Sequence, residues 1–398
     1  MARRWRRRGG RKARYRSRGI ACGIAHLSKG ECLTQVAPHI DALTMLEPLG
    51  VCAGITPFNF PVMVPMWMFP LAIACGNTFI LKPSEKVPLT ASRLAQLFQE
   101  AGLPNGVLNI VHGSREVVEA LCTHPGIAAI SFVGPSPAAR SVYTLACQHG
   151  KRVQAAGGAK NVLIVMPDAE PETTLRAIIG SAFGCAGQRC MAGSVLMSVG
   201  ESADAVRDRV LAAMEQLQVD DTSANDATEM GPVIDGAAWA RIRQNILSAV
   251  GEGAKPAPEI RGNIPTRGFF LGPTLLEGVT SNMAVFREEV FGPVLSLVRP
   301  STLEAAIQMM NRLSYGNGAT LFTSSGHYAR QFTRDMQCGM IGINVGVPAP
   351  MALFPFAGWN GSFYGDLHVQ GMEGIHFYTR QKVVLSRWDS QYQRHQGW

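Results

Sequence analysis

Hydrophobic runs in this chain come in short bursts separated by turns. From Leu49 a run (GVCAGI) leads through a loop (TPFNFP) into an apolar helix ending near Cys75, and then into a second strand, TFILKP. The period repeats: a helix over 84–101, the strand VLNIVHG, a helix over 114–123, the strand AAISFVG, a helix ending at His149 and the strand RVQAAGG. Strand, crossover helix and strand in this order predict parallel βαβ units, whose carboxyl strand ends receive nucleotides. A second α/β segment runs from about Asn161 to Gly346, with helices expected over 172–183, 203–217, 237–251 and 303–313. The stretch FYTRQKVVL near the end reads as a strand.

Leu49 to Leu81 contains no charged residue, which on hydropathy alone suggests a membrane helix. Pro61, Pro65 and Pro70 argue instead for a loop and a helix buried against a sheet covered on both faces. We therefore expect no membrane segment. The fold class is α/β, and 42 Gly and 24 Pro beside 46% hydrophobic residues suit many turns between short buried elements.

The formal charge of +8 changes little, because residues 1–18 hold nine Arg and one Lys with no acid. The remainder carries 27 basic against 29 acidic residues and is near neutral. Such a tail can touch nucleic acid or anionic lipid, but a solvated, disordered run is the commoner outcome. The nine cysteines form no CxxC pair and no zinc-spaced cluster, so neither a disulfide framework nor a metal site is expected, and the compartment reads as reducing and cytoplasmic.

The stretch FGCAGQRCMAGS, 183–194, places Cys190 on a glycine-rich turn after an expected helix. A thiolate there can add to an aldehyde and form a thiohemiacetal whose hydride passes to a nicotinamide. Arg189 beside it can lower the thiol pKa or receive an anionic substrate. The plain alternative is a structural core cysteine, and Cys185 is an internal competitor.

Four blocks in order, TPFNFP (56–61), LKPSE (81–85), FGCAGQRCMA (183–192) and EEVFGP (288–293), decide between these readings. With AGLPNGVLNIVHG, MGPVI, YGNGATLFT, INVG and PFAGW between them, the chain resembles the aldehyde dehydrogenase superfamily from about residue 20 to its end. The wording of ACGIAHLSKGE, the 48–85 stretch, GQRCMA and GSFYGDLH with FYTRQKVV is most similar to the CoA-acylating methylmalonate-semialdehyde dehydrogenases. That resemblance implies NAD-dependent oxidation of malonate or methylmalonate semialdehyde, with decarboxylation, to acetyl-CoA or propionyl-CoA.

Carried over residue by residue, the resemblance makes Cys190 the nucleophile and Asn59 the side-chain donor to the developing oxyanion. Lys82 and Glu85 match the adenosine-ribose positions, although a solvated ion pair is their plain alternative. Phe58 lines the cofactor site, Gly134 belongs to its phosphate turn, and Glu289 with Phe291 matches the nicotinamide-ribose pocket. Arg189 and, more weakly, Arg18 are the candidates for the substrate carboxylate. A dimer or tetramer is implied, joined by a bridging element made from the region around 31–47 and the C-terminal strand.

The expected organisation is a basic tail (1–19), a bridging segment (20–45), a dinucleotide-binding domain (46–160), a catalytic domain (161–346) and a C-terminal segment (347–398) with the oligomerisation strand. Against the family pattern the dinucleotide domain reads as incomplete at its start.

Three departures matter. Hydrolytic relatives carry a Glu in E-L-G-G-K, and here AGGAK puts Ala156 at that position, which supports a thiol acceptor over water. The CoA-acylating branch usually has Asn and Met where Ala156 and Gly157 stand. FVGPSPAAR keeps Gly134 but places Pro135 where the family has Ser and Ala139 where it has Gly, so weakened dinucleotide binding is expected, with Ser136 as a possible substitute. Arg18 runs directly into GIACG, closer than in the family. Two rival readings stand beside the main one: an impaired homologue that acts by binding or assembly, and a hydrolytic enzyme for another aldehyde.

Overall fold

The computed structural model describes residues 19–223, 225–257 and 264–388. Arg18 and the basic tail to residue 18 lie outside the described residues. Three sheets organise the rest, together with one two-stranded ribbon.

The first sheet has six strands in the order Phe363–Tyr364, Arg152–Ala156, Ala129–Val133, Val51–Ile55, Thr78–Lys82 and Leu108–Ile110. All pairings are parallel except that of the edge strand Phe363–Tyr364, which runs antiparallel to Ala155 and Ala156. Its central strands are buried along nearly their whole length, as expected when helices cover both faces. On one face lies the helix Met63–Ala74, apolar all round and buried from Val64 to Phe69. It is 12 residues long, and among the described residues no helix is long and apolar enough to cross a membrane. The helices Arg115–Thr123 and Ser136–Gln148 cover the other face.

The second sheet has seven strands, in the order Lys255–Pro256, Thr274–Glu277, Val294–Val298, Gly193–Ser198, Asn161–Val165, Gly318–Phe322 and Met340–Ile343. It too is parallel except at one edge, where Lys255–Pro256 runs antiparallel. A long antiparallel sheet of Cys32–Ala37, Ile40–Pro48 and Thr379–Arg387 stands apart, and its outer two strands are largely exposed. Thr379 to Arg387 pairs with Pro48 to Ile40 without a break.

Differences from the sequence reading lie at element ends and in two helices near the C-terminus. The helix expected from residue 84 starts at Pro88, because Ser84 to Val87 close a turn (Val87 N–H to Ser84 carbonyl, 3.1 Å) and proline favours the first helical position. Phe377 and Tyr378, read as the start of the last strand, are the buried end of a helix, Gly371–Tyr378. The helix Gly326–Asp335 escaped the periodicity reading because only Phe332 in it is buried.

Candidate active site

The first sheet starts at Val51–Ile55, moves outward through Thr78–Lys82 to Leu108–Ile110, and then returns to the other side of Val51–Ile55 with Ala129–Val133. The strand order therefore reverses between Val51–Ile55 and Ala129–Val133, and ligands of open α/β sheets enter the crevice at such a point. The loops leaving those two strands are TPFNFP, with Phe58 and Asn59, and Gly134–Pro135. Lys82 ends the neighbouring strand.

The Cys190 loop closes this crevice from the second sheet. Cys185, Ala186 and Gly187 take left-handed backbone in succession, at φ 58°, 54° and 68°. Only glycine fits the third of these, since a Cβ on Gly187 would lie 2.0 Å from the Gly292 carbonyl oxygen. Gln188 Oε1 accepts the Ile234 N–H at 3.0 Å, and the Gln188 carbonyl accepts from Asn59 Nδ2, also at 3.0 Å. The Cys190 carbonyl accepts from Asn161 Nδ2 at 2.8 Å and from Asn317 Nδ2 at 3.0 Å. Blocks far apart in sequence, TPFNFP, GQRC, MGPVI, EEVFGP and YGNG, thus meet on one loop.

Cys190 is partly buried, and burial pushes its thiol up to about 12. The Glu289 charge adds to the rise, while the N–H groups of Cys190 and Met191, and then Arg189, oppose it. Arg189 reaches toward the other cysteine: its Nε donates to Cys185 Sγ at 3.2 Å and its Nη1 to the Gly180 carbonyl at 3.2 Å. Arg189 and Glu289 line one cleft with Asn161, Ser194 and Phe291.

Glu289 reaches the turn between the two sheets. Its Oε1 accepts the Ala159 N–H at 3.2 Å, and Oε2 lies 2.5 Å from where a Cβ on Gly158 would fall. Burial raises its carboxyl to about 7, against the pull of the Ala159 N–H and the charges of Lys160 and Arg241. Phe291, at φ 51°, packs its ring edge-on to Phe58 with centroids 6.0 Å apart. Lys82, 5% exposed, donates to Glu85 at 3.1 Å. Burial alone would raise Glu85, but its own N–H and Lys82 bring it below the usual carboxylate range.

Several residues of this site were not singled out from the sequence. Asn161 and Asn317 hold Cys190 in place, and Asn317 lay in the recognised YGNG block without a role. Lys160 is 4% exposed, and burial lowers it to about 8. Ser136, by contrast, was offered by the sequence as a substitute phosphate contact, and it faces inward: its hydroxyl donates to the Gly361 carbonyl at 2.9 Å and accepts the Gly158 N–H at 2.8 Å. Among the described residues no group of three His, Cys, Asp or Glu is gathered to hold a metal.

This crevice, with a cysteine loop on one side and a parallel-sheet switch point on the other, is the site plan of an aldehyde-oxidising enzyme, and the aldehyde dehydrogenase family profile matches residues 16–384. The chain belongs to that family. Among its relatives, the malonate-semialdehyde dehydrogenase of Halalkalibacterium halodurans is 50% identical over 377 residues, 93% of this chain and 78% of that protein. Malonate-semialdehyde dehydrogenase 2 of Geobacillus kaustophilus is 50% identical over 378 residues, with the same coverage. Among solved structures, the methylmalonate-semialdehyde dehydrogenase of Oceanimonas doudoroffii superposes with a TM-score of 0.93 at 45% identity, covering 95% of this chain and 78% of its own. A protein of Sinorhizobium meliloti 1021 assigned to the same activity, solved with NAD, gives the same TM-score, identity and coverage.

Proposed function

We propose that this chain is an NAD-dependent, CoA-acylating dehydrogenase of malonate or methylmalonate semialdehyde, releasing carbon dioxide and forming acetyl-CoA or propionyl-CoA. The observation that carries this reading is the docking of the Asn59 amide on the Cys190 loop, at 3.0 Å from the Gln188 carbonyl, beside the sheet's switch point. That contact leaves the second Asn59 N–H to meet an oxyanion formed at Cys190, where a fixed donor contributes a few kcal/mol, about 2.7–4.

The chain's residues fit the two ribose ends of NAD. Lys82 is a buried cation with donors left over beyond Glu85, and Glu289 has an oxygen, Oε2, with no protein hydrogen bond among the described residues. We assign Lys82 and Glu85 to the adenosine ribose, Glu289 with Phe291 to the nicotinamide ribose, and Phe58 to the wall between them. Gly134 closes the turn before the helix, where a Cβ would strike the Phe132 ring at 2.6 Å. The centre of the cofactor is less well served, as argued below.

Cys190 Sγ adds to the aldehyde carbon as its proton leaves to solvent, and Asn59 with the Cys190 N–H receives the oxyanion. NAD, when bound, supplies the hydride acceptor that turns the thiohemiacetal on Cys190 into a thioester. Decarboxylation and transfer to the CoA thiol complete the cycle. Ala156 offers no carboxylate to activate water, and a thiol attacks a thioester without a strong base. Arg189 is the candidate for the substrate carboxylate, through Nη2, which has no protein hydrogen bond among the described residues.

The same reading makes the protein a cytoplasmic homo-oligomer, dimer or tetramer, with the dinucleotide domain ending near residue 160 and the catalytic domain near 346. Its support is the exposed three-stranded sheet, where Leu33, Val36, Met45, Val383 and Leu385 face outward, together with nine free thiols.

Incubation with malonate semialdehyde, NAD and CoA, following NADH and acetyl-CoA, tests the reading. NADH and acetyl-CoA in equal amounts are expected. No NADH above a Cys190→Ser control selects the binding or assembly role, and NADH formed without CoA selects hydrolysis.

A further inference from the structure

The helix Ser136–Gln148 starts at the switch point of the first sheet, where α/β folds ordinarily receive the diphosphate of a nucleotide on outward-pointing N–H groups. Here that start is short of donors. Pro135 caps the helix and Pro137 occupies its second position, so two of the four residues 135–138 have no N–H. The Gly134 N–H is turned to the Ala156 carbonyl at 3.1 Å.

The hydroxyl expected to take over is also engaged. Ser136 Oγ lies between the Gly361 carbonyl and the Gly158 N–H, at 2.9 and 2.8 Å. It fills the space that a side chain at Gly157 would need, since a Cβ there would fall 2.8 Å from Ser136 Oγ and 2.9 Å from the Gly361 carbonyl oxygen. Ser136 thus fastens three segments: the helix start, the 157–160 crossover into the second sheet, and the loop feeding the edge strand Phe363–Tyr364. A hydroxyl in that role cannot also turn out to a phosphate.

We infer that this chain holds its dinucleotide by the two riboses and leaves the diphosphate without recognition from the helix start, with Ser136 a positioning residue that fastens the crossover. The inference rests on the NAD reading above, through Lys82, Glu85 and Glu289. Affinity then owes little to phosphate charge.

Titration calorimetry of the full chain with adenosine, ADP and NAD tests this. Adenosine and ADP should bind within about threefold of each other, a difference of well under the tenfold that one good contact brings. Raising salt from about 50 to about 500 mM should leave ADP binding nearly unchanged, since no phosphate contact is there to screen. Pro135→Ser should tighten ADP and NAD about tenfold or more without moving adenosine. Pro137→Ala restores an N–H in the same turn without touching the cap, and it should act in the same direction should Pro135→Ser melt early.

ADP binding about thirtyfold or more tighter than adenosine in the unaltered chain overturns this inference and leaves the NAD reading standing. So do unchanged ADP constants in both variants when their melting curves match the parent. Failure of all three ligands to bind overturns the NAD reading together with it.

Discussion

Two loops face each other across the crevice, and they are built in opposite ways. The Cys190 loop is held from several directions by polar side chains, Asn59, Asn161, Gln188 and Asn317, each on a stated backbone partner. The helix start at Gly134–Pro137 has lost donors to two prolines and turned its one hydroxyl inward. Positioning a nucleophile to within a fraction of an ångström needs many fixed contacts, whereas a cofactor gripped at both ends tolerates a bare centre. On the function proposed above, the difference separates chemistry from cofactor affinity: the first falls to the densely held loop, the second to the ends of the crevice.

The sharpest test of that division is Cys190→Ser, which should reduce NADH formation about a thousandfold or more while leaving NAD binding unchanged by calorimetry. Cys185→Ser, in the same turn, should keep activity within about threefold, because a serine hydroxyl can still accept from Arg189 Nε as the Cys185 sulfur does. Equal losses in both would break the assignment of the nucleophile.

A smaller effect separates the two loops themselves. Asn161→Ala removes donors from the carbonyls of Cys190 and Ala192, the second at 3.0 Å. Asn317 still serves the Cys190 carbonyl, so the loss falls mainly on the Ala192 carbonyl and should cost about 1–3 kcal/mol in denaturant unfolding. Turnover should fall about tenfold as the thiol loses its setting. Ser136→Ala removes a comparable pair of bonds on the other side of the crevice. It should cost about 1 kcal/mol yet leave the alkylation rate of Cys190 unchanged. A Ser136→Ala protein whose thiol reactivity shifts as much as that of Asn161→Ala would show the loops to be coupled after all.

How much of this was legible beforehand follows the same line. Strands of the first sheet could be read because continuous apolar runs such as AAISFVG have few alternatives once both faces are covered. Cys190, Asn59 and Glu289 were singled out through neighbouring motifs, since a lone cysteine carries no address. Asn161 and Ser136 were missed as to role because their partners lie 22 to 225 positions away, and no local pattern encodes a contact of that span. Pro135 was seen as a departure, but the inward turn of Ser136 became visible only once Gly361 stood over it. The helix Gly326–Asp335 shows the opposite limit, a largely polar surface helix with Phe332 as its one buried residue, so that no apolar run draws attention to it.

The smallest effect bears on how the Cys190 loop is tuned. Burial is the first cause of the thiol's rise to about 12, and the Glu289 carboxylate is the second. Glu289 itself is raised to about 7, so it is mostly charged at pH 8.5 and mostly protonated at pH 6. Glu289→Gln keeps the shape and removes the charge, which lowers the thiol pKa. Iodoacetamide, a neutral probe of the thiolate, should then alkylate Cys190 about threefold faster at pH 8.5 in the variant, without any cofactor present. At pH 6 the two proteins should react alike, because the parent carboxyl is by then uncharged. The ratio of rates should therefore climb through the pH range in which Glu289 ionises. A variant that reacts at the parent rate at pH 8.5, or more slowly, means that the carboxylate does not act on the sulfur through its charge, and the tuning of this loop rests on burial against the N–H groups of Cys190 and Met191 and the charge of Arg189.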